Sequence, residues 1–117
     1  MTVKLHDPGY RHAKGVIEAG HVVRDERDDW SDHQPTADEE NRFVEELGWR
    51  EYGRWHLAAD DEHDPETKAH WKFPYGDFEQ VHRCGVLAAE ARAGQYGYDD
   101  VKSAAAHLHG MIEGAPG

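Results

Sequence analysis

The chain is short of several things that would have defined it at once. It has one cysteine, Cys84, so no disulfide forms within it, and a reducing compartment fits that usage. No segment approaches the roughly 18 apolar residues of a membrane span, and the opening MTVKLHDPGY lacks the apolar core of a secretory signal. A cytoplasmic protein is therefore expected. Lysine is scarce: five of the 13 basic residues, against 24 Asp and Glu, for a net charge of -11. Such a field repels phosphate backbones and disfavours direct nucleic-acid binding. The acidity is compatible with a salt-loving source and equally with genomic base composition. Glycine-rich phosphate loops, calcium-loop spacings and a His-Glu-x-x-His helix are also missing.

What is present is aromatic. Four Trp, five Tyr and three Phe supply the large apolar surfaces that a disordered chain of this charge would lack, and 117 residues make one thin-cored domain. Asp7-Pro8 is a helix-start signal, Tyr10, Ala13 and Ile17 follow at helical spacing, and Gly20 closes a helix over 8–19. Residues 21–24 read as a short strand, followed by a charged connection, RDERDDWSDHQP, in which only Trp30 seeks burial. Thr36 and Glu39 have capping-box spacing and open a helix that ends at Gly48.

Period-two alternation around Trp55 and Leu57, and again around Ala69, Trp71 and Phe73, predicts an antiparallel hairpin across DDEHDPETK. Trp55 opposite Trp71 would give it an aromatic core face, with His56 and His70 together on the exposed face. In KFPYGDF, Pro74 ends the strand, Tyr75-Gly76 turn, and Asp77 caps a helix from Phe78 to about Ala93. A last helix from Asp99 carries Val101, Ala104, Ala105, Leu108, Met111 and Ile112 as a stripe that pairs with it. The expected fold is thus a small, mostly helical α+β domain spanning 1–117, with one two-stranded antiparallel hairpin, a C-terminal helical hairpin, and frayed ends at 1–6 and 114–117.

The stretches KFPYGDFEQVHRCGVLAAEARAGQ and WSDHQPTADEENRFVEELGWREYGRWHL resemble a group of small acidic bacterial hypothetical proteins of unknown function, over most of the chain. The apolar-Pro-x-x-Asp corner is also similar to a short helical domain of phage head-assembly proteins. Neither resemblance implies catalytic residues.

Ten histidines raise the question of a metal. His107 and His109, two apart on a helix, point away from each other. His56 and His70, with His63 nearby, are the best-placed candidates, but two ligands fall short of the three or four that zinc needs. No cofactor is otherwise implied; a divalent metal is the exception these histidines allow. Glu79-x-x-His82 and Glu18-x-x-His21 have the spacing of di-iron bundles without the long helices, so Glu79 is expected to pair with Arg83. Cys84 falls on the apolar arc of its helix and is expected to be an inert core thiol. Arg92 projects onto the same apolar side and should pair with Asp77, Asp99 or Asp100. The carboxylates of residues 60–66 read as solvated.

With no complete catalytic set, the leading reading is a non-enzymatic module that binds a protein partner or itself, anchored by Trp30, Trp49, Tyr52, Tyr75 and Arg92. The alternative is a metal-binding protein or metal-dependent enzyme using the hairpin histidines. A third reading is a phage-related acidic mimic of nucleic acid.

Overall fold

A computed structural model describes residues 3–114. In chain order these form β1 (Val3–Leu5), α1 (Asp7–Glu18), β2 (Val22–Val23), a 3-10 turn (Arg27–Asp29), α2 (Trp30–His33), α3 (Ala37–Gly53), β3 (His56–Asp60), a second 3-10 turn (Lys68–His70), β4 (Trp71–Pro74), β5 (Val81–His82), α4 (Arg83–Tyr96) and α5 (Asp99–Gly114). The α+β class, its helical majority and the α4–α5 hairpin match expectation. Fraying of residues 1, 2 and 115–117 lies outside the described residues. Val3–Leu5, expected to fray, instead pair with β3, and the His6 N–H donates to the Leu57 carbonyl at 2.7 Å.

The sheet is larger than a hairpin. β1, β3 and β4 form a three-stranded antiparallel sheet with β3 in the middle. Helices α1, α3 and α5 all contact β3, so it is buried along its length rather than on one face. The predicted register fails for that reason and because the 3-10 turn at Lys68–His70 uses up the start of the second strand. His56 lies opposite Pro74, and Trp71 opposite Ala59 rather than Trp55. His56 and His70 are both buried and do not share an exposed face.

Helix α3 opens with the expected capping box: the Glu39 N–H donates to Thr36 Oγ1 at 3.1 Å, and the Thr36 N–H to Glu39 Oε1 at 2.9 Å. Gly48, with φ of 88°, kinks the helix instead of ending it, and the helix runs on to Gly53.

The KFPYGDF corner differs most. Asp77 Oδ1 accepts the N–H groups of Glu79 and Gln80, but what it closes is a tight turn rather than a helix. Phe78 takes a left-handed φ of 72°, which no helix start tolerates, and its ring stacks on Phe43 with centroids 4.3 Å apart. The helix therefore begins five residues late, at Arg83, leaving Val81–His82 free to pair in parallel with Val22–Val23. That second, two-stranded sheet brings Asp25 to the start of α4.

Candidate metal centre

The parallel register sets Val22 beside Val81 and Val23 beside His82. Two residues further on, the same alignment brings Asp25 to Cys84 across the mouth of α4: the Cys84 N–H donates to Asp25 Oδ1 at 2.7 Å. The 3-10 turn after Asp25 carries its own capping box between Glu26 and Asp29, and turns the chain into α2, whose last residue, His33, returns to Asp25. Trp30 on α2 packs against Gly85, where a Cβ would lie 3.0 Å from the indole, and tilts over the His82 ring at 5.9 Å.

Four donor atoms, one each from Asp25, His33, His82 and Cys84, lie within 4.8 Å of one another. Among the described residues this is the one such group. Asp25 Oδ2 is 2.7 Å from His33 Nδ1, 2.7 Å from His82 Nδ1 and 3.0 Å from Cys84 Sγ. Cys84 Sγ and His33 Nδ1 are 3.9 Å apart. Tetrahedral zinc, with sulfur at about 2.3 Å and nitrogen at about 2.0–2.1 Å, would set that edge near 3.6 Å. Asp25 and His82 are 9% and 6% exposed, whereas the His33 side chain, at 37%, closes the site from the solvent side.

The surroundings suit a cation. On the far side of the His82 ring, Nε2 donates to Asp77 Oδ2 at 2.9 Å, a carboxylate behind an imidazole that fixes the tautomer presenting Nδ1 inward. Arg83 Nη1 donates to the Asp25 carbonyl at 3.0 Å while its Nε pairs with Glu113 at 2.6 Å, not with Glu79 as expected. Cys84 stands in the first turn of α4, where the helix dipole favours a thiolate.

Without a cation the charges adjust by protonation. Burial works to raise the Asp25 pKa, but hydrogen bonds from the Cys84 thiol and N–H, His82 and His33 overcome it and hold the carboxyl well below the usual range. Burial and then the neighbouring Asp25 carboxylate push the Cys84 thiol far up. Burial opposes protonation of His82, yet hydrogen bonds to Asp77 and Asp25 raise its pKa on balance. A metal ion would take the place of protons on Cys84, His82 and His33.

These facts also decide against a Cys–His nucleophile. Such a pair needs the base on one ring nitrogen and its orienting acid on the other. Here Asp25 and Cys84 meet the same nitrogen of His33, and burial together with Asp25 pushes the thiol pKa up, away from the thiolate. Cys84 is buried as expected, but its sulfur faces a polar cluster rather than the apolar core.

The histidines favoured from the sequence make other contacts. His56 Nδ1 bonds the Tyr52 carbonyl at 2.9 Å, His70 Nδ1 the His63 carbonyl at 2.7 Å, and His63 Nε2 stands 4.0 Å from Asp60. Of the expected surface anchors, Tyr52 and Tyr75 are buried. The Tyr75 hydroxyl donates within the core to Arg54 and Gly9 carbonyls, at 2.6 and 3.2 Å. Trp30 and Trp49 are half-buried. Arg92 is exposed and makes no bridge to Asp77, Asp99 or Asp100, because the side of α4 that is buried carries Val86, Leu87, Ala89 and Ala93 and leaves position 92 outside it; it lines a cavity together with Trp30.

Two signals for the centre stand apart in the sequence: His82-x-Cys84, and Asp25 with His33 inside the charged connection RDERDDWSDHQP, with no local pattern to join them. Compared with protein-family models, with curated proteins and with solved structures, the chain finds no match. No helix among the described residues is long and apolar enough to cross a membrane.

Proposed function

We propose that this is a metal-binding domain in which one divalent ion of the zinc class is held by Asp25, His33, His82 and Cys84. The observation that carries the reading is the convergence of those four donor atoms within 4.8 Å, with Asp77 behind His82. The donor chemistry favours zinc: one thiolate and two imidazoles are borderline-soft, and a sulfur- and nitrogen-bearing set does not suit magnesium or calcium, which take oxygen ligands. Four protein ligands close the coordination sphere, which is the pattern of a structural rather than a hydrolytic zinc. Its work is then to staple the 25–34 segment to the start of α4.

Elemental analysis of the full chain after equilibration with zinc and removal of the excess tests this. One equivalent retained by the parent chain, and loss of retention in Cys84→Ser and in His82→Ala, is expected. Retention unchanged in both variants sinks the proposal, as does a parent chain that holds no zinc against a micromolar colorimetric chelator.

A further inference from the structure

Beside the metal cluster, and sharing its 25–34 segment, lies a cavity of about 600 Å³, within the range of small-molecule sites. Its walls come from the 3-10 turn and α2, from β4 and from α4. Arg27, Lys72 and Arg92 reach it, and among the described residues none of the three is in an ion pair. Asp28 and Asp60 also line it; Asp60 is already engaged, accepting the Glu62 N–H at 3.0 Å.

Aromatic rings make up much of the rest: Trp30, Phe73, Tyr96 and Tyr98. Tyr96 is 59% exposed, one of two large apolar side chains so exposed among the described residues, Leu47 being the other. Phe73 holds a left-handed φ of 61°, a backbone state that costs a bulky residue free energy and is concentrated at ligand sites. Ala88 and Ala89 leave the α4 wall low, and Ser31 and Gln34 supply uncharged donors and acceptors.

From this combination we infer that the cavity is a binding site for a 5′-mononucleotide, its base against the aromatic rings and its phosphate among Arg27, Lys72 and Arg92. Base–aromatic stacking and guanidinium–phosphate pairing are the two interactions the walls offer, and the volume takes a base, a ribose and one phosphate together. The exposed Asp28 carboxylate suits a ribose hydroxyl and opposes longer phosphate chains, which selects a mononucleotide over a nucleic acid. The site is separate from the metal ligands, so a nucleotide need not touch the ion.

Calorimetric titration of the zinc-loaded full chain, free of excess metal, with AMP, GMP, CMP and UMP tests the inference. Saturable one-to-one binding of at least one nucleotide is expected, weakened tenfold or more when its nucleoside replaces it, and again in Arg92→Gln and in Lys72→Gln. The exposed Lys4→Gln serves as the control and should leave affinity unchanged. Absence of saturable binding by all four overturns the inference, as does equal affinity for the nucleoside or indifference to both cavity substitutions. Repeating the titration on His33→Ala separates the two sites. Binding that tracks zinc content but ignores Arg92→Gln would put the phosphate on the metal, against the inference but not against the metal centre.

Discussion

His82 stands between two carboxylates, Nδ1 toward Asp25 at 2.7 Å and Nε2 toward Asp77 at 2.9 Å. The two are not equivalent. Asp25 shares the inner face with Cys84 and His33, whereas Asp77 faces the outer nitrogen and also accepts the N–H groups of Glu79 and Gln80 through its other oxygen. Asp77 is thus the residue that ties the KFPYGDF corner to the metal centre.

The variant that separates those two jobs is Asp77→Asn. The amide oxygen can still take the turn's N–H groups, but the charge behind His82 is gone. Loss of such an outer partner weakens metal binding by about 10–100-fold. We expect that loss in zinc competition against a chelator, with the unfolding midpoint of the metal-free protein nearly unchanged. An affinity within twofold of the parent would show that Asp77 serves the turn alone.

Metal removal should act locally before it acts globally. An ion that binds only the folded chain stabilises it by about 4 kcal/mol when present at a thousand times its dissociation constant. Residues 25–34 are held by short helical turns, by Trp30 against Gly85, by Arg83 on the Asp25 carbonyl and by the ligands themselves, whereas α4 and α5 pack broadly on each other and on the core. Chelation is therefore expected to raise amide exchange in 25–34 and around 81–84 tenfold or more, and to leave α5 protected. Uniform deprotection of the whole chain would mean that the ion supports the entire fold.

Much of the fold could be read from the sequence because local signals and tertiary structure agreed. The capping box at Thr36, the helix from Asp99 and the Asp7-Pro8 start each depend on neighbours a few residues away. The centre could not be read in the same way. It depends on a parallel pairing between residues 22–23 and 81–82, two strands of two residues each, too short to leave a periodic pattern. It also depends on Phe78 leaving the helical path to stack on Phe43, a contact 35 residues distant that overrides the helix-start signal of Asp77. Cys84 is buried on α4 as its spacing implies, and only the distant pairing brings Asp25 to its sulfur.

Two glycines of α1 should respond oppositely to the same substitution. A Cβ at Gly9 would overlap the His56 carbonyl oxygen, part of the central strand, which has no room to yield. At Gly15 a Cβ would meet nothing within 4 Å. Gly15→Ala should raise stability by about 0.5–1 kcal/mol, the usual gain in a helix interior. Gly9→Ala should lower it by several times that amount or prevent folding, since overpacking alone costs about 1–3 kcal/mol and here the obstacle is backbone. Urea midpoints of the two variants decide it, and a stable Gly9→Ala would mean that α1 does not sit against β3 as described.

Acid should weaken the fold through His56 in particular. Burial lowers its pKa from 6.5 to about 4, only partly offset by the hydrogen bond to the Tyr52 carbonyl, and His6 nearby lowers it further. The folded state therefore holds the neutral ring while the unfolded chain takes up a proton from about pH 6.5 downward. Its contribution to stability is whole above pH 6.5, shrinks as pH falls through the window to about 4, and does not change further below it. At about 1.4 kcal/mol per unit, the loss across that window is about 3 kcal/mol. Urea unfolding of the metal-free protein at pH 7 and pH 4.5 should show the decline, and His56→Asn, destabilised at pH 7, should show a shallower one. Equal pH slopes in parent and variant would mean that the buried imidazole is not what acid attacks.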